Sequence, residues 1–132
     1  MAAVDGKMAE HLGQPSKHFA SKADRILFRE GDAPDQIYFL RKGEATLKLT
    51  VDNQAIACFR VRACSLIGLS AVIGNRPYST TASVGPDAVV EVVEPSEFFD
   101  LIDSHPELYF RVLRILAAEN EAALQALANV LS

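Results

Sequence analysis

Between Lys22 and Glu94 the apolar residues come in short runs divided by glycine, proline and acidic residues. Arg25 to Arg29 reads as a strand, and Glu30-Gly31-Asp32-Ala33-Pro34-Asp35 reads as a turn by composition. Gln36 to Arg41 is a second strand, closed by Lys42-Gly43. Glu44 to Val51 alternates small or apolar residues with polar ones, as a half-buried strand does. Asp52-Asn53-Gln54 turns the chain, and Ala55 to Val61 returns. Thr80 to Val84 and Ala88 to Val93 add two more strands around Gly85-Pro86-Asp87. Short strands at this spacing predict an all-β sandwich or barrel.

After Pro95 the period changes. Pro95 to Ile102 predicts a short helix with Ser96 as its N-cap. Ser104, Pro106 and Glu107 then predict a second start: a capping serine, an early proline, and an acid three residues past the cap. No glycine or proline follows up to Ser132, so the expectation is one long helix. Its early apolar positions, Leu108, Val112 and Ile115, are expected to dock on the β core. Later, Leu113, Asn120 and Leu127 recur at heptad spacing, as do Leu116, Ala123 and Val130. These are the a and d positions of a coiled-coil seam, with Asn120 as a polar register-setting residue, and they predict a homodimer. A single amphipathic helix folded back on its own sandwich is the alternative. Three regions follow: residues 1–21, helical or loosely ordered; 22–94, the β body; and 95–132, the C-terminal helices.

The densest signal lies between these strands. Gly68 permits a tight turn, Leu69 to Ile73 can form one short helical turn, and Asn75-Arg76-Pro77 breaks it before the strand at Thr80. A glycine turn feeding a helix start aims backbone N–H groups at a small anion. This stretch resembles the phosphate-binding cassette of the cyclic-nucleotide-binding domains found in Crp/Fnr regulators. Phe28-Arg29-Glu30-Gly31-Asp32 with Ile37-Tyr38-Phe39-Leu40-Arg41-Lys42-Gly43 resembles that family's hairpin, and the likeness runs over about residues 24 to 116. It implies a mainly β fold, a double-stranded β-helix (jelly-roll) sandwich with flanking helices and a long C-terminal dimer helix. In the family that helix leads into a helix-turn-helix DNA-binding domain. The implied ligand site is Gly68, Leu69, Ser70, Ala71, Thr80 and Thr81. Leu69 stands where the family places a glutamate for the ribose hydroxyl, and Thr80 where it places an arginine for the cyclic phosphate. Losing two charge-assisted hydrogen bonds would cost about 3–6 kcal/mol of affinity.

Composition narrows the function. The chain has 132 residues, 49% of them hydrophobic, enough for one domain with a real core. A net charge of −4 argues against direct nucleic-acid contact by this segment. No apolar run reaches membrane-span length, and the N-terminus lacks a signal-peptide core, which points to the cytoplasm. Cys58 and Cys64 are too few for a cluster or a metal site and read as small, semi-buried residues. No Cys–His pair, histidine cluster or nucleophile elbow is visible, so no catalytic residue and no metal are expected. The expected function is a non-catalytic effector-sensing module, either the sensor of a Crp/Fnr-type regulator or a stand-alone relative. Its effector would be a cyclic nucleotide or another small anion. A ligand-free dimerisation or protein-interaction scaffold is the alternative.

Overall fold

The computed structural model describes residues 17–20, 22–52 and 54–118. Its strands are β1 (Lys17–Ala20), β2 (Arg25–Phe28), β3 (Ile37–Lys42), β4 (Glu44–Val51), β5 (Gln54–Arg62), β6 (Ser65–Ile67), β7 (Thr81–Val84) and β8 (Val89–Val93). Helix α1 (Leu69–Gly74) separates β6 from β7, and α2 (Pro95–Ser104) follows β8. A 3₁₀ turn (Pro106–Leu108) leads into α3, residues 109–118.

The strands form two four-stranded sheets, β1-β8-β3-β6 and β2-β7-β4-β5. All pairings are antiparallel, and late strands insert between early ones: β8 lies between β1 and β3, and β7 between β2 and β4. This is the jelly-roll sandwich with flanking helices that the resemblance implied.

Burial explains the sequence pattern. In β3 the four residues Ile37, Tyr38, Phe39 and Leu40 are all buried, because both faces of its sheet are covered. Tyr38 and Leu40 face the inner core between the sheets, with Val61, Ile67, Ala82, Val84 and Val90. Ile37 and Phe39 face an outer core, closed by Phe98 and Ile102 of α2 and by Leu108, Val112 and Ile115. Those last three residues dock on the β body as their spacing predicts. In β4, by contrast, Ala45 and Leu47 are buried while Glu44 and Lys48 are exposed, so alternation is visible there.

Several local expectations change. Strand β1 falls within the stretch read as helical or loosely ordered, and it pairs with β8 from Lys17↔Val92 to Ala20↔Val89. Strand β6 was not predicted. Helix α2 starts two residues earlier than a Ser96 cap allows: Pro95, whose ring presets φ, is its first residue, and Glu94 is the N-cap. Ser104 ends α2 instead of capping the next helix. Pro106 disfavours helical backbone at His105, which sits at φ −132 and ψ 73, so a break separates α2 from α3. Both cysteines are exposed free thiols, not semi-buried ones. Cys58 faces outward from the sheet-edge strand β5, and Cys64 occupies a turn at φ 67.

The passage from β3 to β4 carries the chain from one sheet to the other through Gly43, at φ +88. A Cβ there would lie 2.8 Å from the Ala88 Cα and 3.0 Å from its Cβ, so glycine is required for space as well as for backbone angle.

Candidate functional site

The cassette is a left-handed glycine followed by a six-residue helix. Gly68 has φ 86 and ψ 5 and forms the N-cap of α1. Asn75, at φ 50 and ψ 50, ends the helix, and its N–H donates to the Val72 carbonyl at 3.2 Å. The Arg76 N–H donates to the Ala71 carbonyl at 3.0 Å, while the Arg76 side chain is exposed.

Helix α1 divides its side chains between the two cores. Leu69 is 0% exposed and packs in the outer core with Val72, beside Phe98, Ile102 and Leu108. Ala71 packs against the inner core. Ser70 and Ile73 face solvent. Leu69 therefore does not line an open surface; its side chain belongs to the contact between cassette and C-terminal helices.

The remaining sequence-predicted site residues lie across the turn. Thr80 is half-buried. The Thr81 Oγ1 accepts the Glu30 N–H at 3.0 Å, and the Thr50 hydroxyl donates to the Glu30 carboxylate. Thr81 thus fastens the loop after β2. On the C-terminal helix, Leu113 is 59% exposed and Leu116 packs partly against the outer core. Asn120, Ala123, Leu127 and Val130 lie outside the described residues.

The residue that sequence reasoning missed is Tyr78. Its ring stacks on Phe28, with centroids 3.8 Å apart and planes 12° from parallel. Its Cε1 lies 3.0 Å from where a Cβ on Gly68 would sit. The Tyr78 hydroxyl accepts the Gln36 N–H at 3.1 Å and donates to the Gln36 carbonyl. The Tyr78 backbone is clipped to the β2–β3 loop: Gly31 N–H donates to the Tyr78 carbonyl at 2.8 Å, and Tyr78 N–H donates to the Asp32 carbonyl at 3.0 Å. The one available signal was the glycine itself, since a turn closed by an aromatic ring has no room for a side chain.

Tyr38 completes this hub. Its hydroxyl has two acceptors in reach, Gln36 Oε1 at 2.9 Å and the Leu27 carbonyl at 3.2 Å. A register shift in β2 between Ile26 and Phe28 brings Leu27 out of the regular ladder. Gln36 Nε2 in turn donates to Glu94 Oε1 at 3.4 Å, at the foot of α2. Burial raises the pKa of both phenols, reinforced at Tyr38 by Tyr78 and at Tyr78 by Asp35 and Asp32, against the opposing Gln36 bond. Both hydroxyls stay protonated at neutral pH and act as hydrogen-bond groups. Among the described residues, no group of three or more His, Cys, Asp or Glu is placed to hold a metal ion. Among them, no helix is long and apolar enough to cross a membrane.

A jelly roll with a glycine-capped helix between β6 and β7 defines the class, and the family comparison agrees. Residues 19–105 match the cyclic nucleotide-binding domain, and the chain belongs to that family. No curated protein matches it significantly. Solved structures share the fold. The chain is similar to the cAMP-bound form of the EAL enzyme Bd1971, at 24% identity and TM-score 0.63, covering 83% of this chain and 30% of that one. It thus spans under a third of that enzyme's length. A cyclic nucleotide-binding domain from Methylobacillus flagellatus gives TM-score 0.75 at 22% identity, over 99% of this chain and 75% of that one. The c-di-GMP-responsive global regulator CLP of Xanthomonas campestris gives TM-score 0.76 at 14% identity, over 95% and 62%.

Proposed function

We propose that this chain is a non-catalytic, cytoplasmic effector-sensing module, working as a homodimer through its C-terminal helix. It would serve as the sensory part of a Crp/Fnr-type regulator or as a stand-alone relative. One observation carries this reading: the cassette helix and the C-terminal helices share a single core. Leu69 and Val72 of α1 pack in the same cluster as Phe98, Ile102, Leu108, Val112 and Ile115. An effector that shifts α1 changes the seat of α3, because close-packed interiors pass displacement on instead of absorbing it. The effector is a cyclic nucleotide or a similar small anion at the cassette, near Gly68, Ser70, Ala71, Thr80 and Thr81. The cAMP-bound enzyme and the c-di-GMP-responsive regulator with the same fold support that ligand class. Affinity is expected to be weak, since Leu69 and Thr80 bring no charge to the ligand.

The test is calorimetry and thermal shift with cyclic AMP and cyclic GMP at millimolar ligand, alongside hydrogen exchange over residues 108–118. Heat of binding with altered exchange in α3 is expected. Absence of heat, of a melting shift and of any exchange change would remove the sensor reading.

A scaffold without ligand is the second reading, and Tyr78 favours it. The space beneath the Gly68 turn is taken by a ring already satisfied by Phe28 and Gln36.

A further inference from the structure

The Tyr78 ring has the features of a bound planar ligand. It lies face to face with Phe28. Its polar tip both accepts from and donates to the backbone of one residue, Gln36. It closes on the Gly68 turn, where Tyr78 Cε1, Phe28 Cε2 and the Gln36 carbonyl all lie within 3.5 Å of where a Cβ would be. It also comes from the loop after α1 and not from a strand, since β7 begins only at Thr81. A loop residue can leave such a position without breaking a sheet.

Resting on the sensor reading above, we propose that Tyr78 gates the cassette and sets its specificity: the ring stands in for a nucleobase, and an effector enters by displacing it. The displacing group must offer a flat π face to Phe28 and an adjacent acceptor–donor pair to the Gln36 N–H and C=O. A purine edge meets both requirements, whereas a sugar phosphate offers hydroxyls to Gln36 but no flat face to Phe28. The gate is linked to the β2–β3 loop, because the Tyr78 backbone exchanges hydrogen bonds with Gly31 and Asp32. Displacement therefore loosens that loop as well as the ring.

The experiment compares the wild type with Tyr78→Ala and Tyr78→Phe, using cyclic AMP, adenosine and ribose 5-phosphate as probes in calorimetry. Circular dichroism melts establish that each variant is folded. Tyr78→Ala is expected to bind cyclic AMP and adenosine at least about tenfold more tightly, with no gain for ribose 5-phosphate. Tyr78→Phe keeps the stack and loses the Gln36 bonds, so a gain of about fivefold is expected. Should the alanine variant fail to fold, the phenylalanine variant carries the test. A folded variant that binds the purines no better than wild type overturns the gate while leaving the sensor reading intact. Equal gain for ribose 5-phosphate overturns the nucleobase assignment. Purine gain without any exchange change in α3 upholds the gate and removes the sensor reading. No binding by any of the three proteins overturns both.

Discussion

The two faces of the sheet β1-β8-β3-β6 are built from alternate residues of the same strands, yet they hold different chemistry. The outer face presents Ile37, Phe39, Leu66 and Val93 and meets Phe98 of α2. The inner face meets the other sheet and carries Tyr38; Tyr78, from the loop after α1, packs into the same core, and the two hydroxyls converge on Gln36. Helix α1 contributes to both, with Leu69 and Val72 outward and Ala71 inward. The outer core thus joins the cassette to the C-terminal helices by shape, and the inner core holds the hydroxyls that, in the proposed gate, would select by hydrogen bonding. In the proposed sensor, a cassette with Leu69 and Thr80 in place of charged residues would keep the first property while changing the second.

Breaking the outer core should have the largest effect. Phe98→Ala is expected to cost about 3–5 kcal/mol in urea denaturation followed by circular dichroism, because a fully buried ring leaves a cavity. A loss under about 1 kcal/mol would mean that the helices contribute little to the fold. Next, Gly68→Ala should cost about 2–4 kcal/mol, combining left-handed strain with overpacking against Tyr78. In a Tyr78→Ala background the same change should cost only the strain, about 1–2 kcal/mol. Additive costs in that double-mutant cycle would separate the turn from the ring.

A smaller effect is expected from pH. Both tyrosine pKa values are raised in the folded state, so the folded protein holds these protons after the unfolded chain has released them at its ordinary value near 10. The corresponding stability is complete below pH 10 and falls away as pH climbs from there through the folded values. Melting temperature should drop along that alkaline limb, and Tyr78→Phe should make the drop shallower. An unchanged slope would show that Tyr78 does not contribute to it. The smallest effect on chain stability belongs to Leu113→Lys. With 59% of the residue exposed, stability should change by no more than about 0.5 kcal/mol. Its readout is mass by light scattering, where a shift from dimer to monomer is expected; an unchanged dimer would move the seam elsewhere.

These contrasts also explain what the sequence could and could not convey. Strands β4 and β8 and the glycine turns were legible, because alternation and punctuation are local properties. The docking of Leu108, Val112 and Ile115 was legible from helical spacing. Strands β1 and β6, with four and three residues, are too short to display a period and exist through pairing with β8 and β3. Leu69 takes its place at the ligand from the family resemblance, and its burial against α2 is a packing fact that a leucine opening a helix does not announce. Tyr78 was missed because its partner, Gln36, lies 42 positions away, joined by a hydrogen bond that no local pattern encodes.

At Gly43 the chain changes sheets through a gap that a single methyl group would overfill. So close a crossing sets the Gly43 backbone directly against Ala88, just ahead of β8. A side chain grafted at this crossing would have to push the turn before β8 aside, so position 43 is a place where the fold accepts glycine alone.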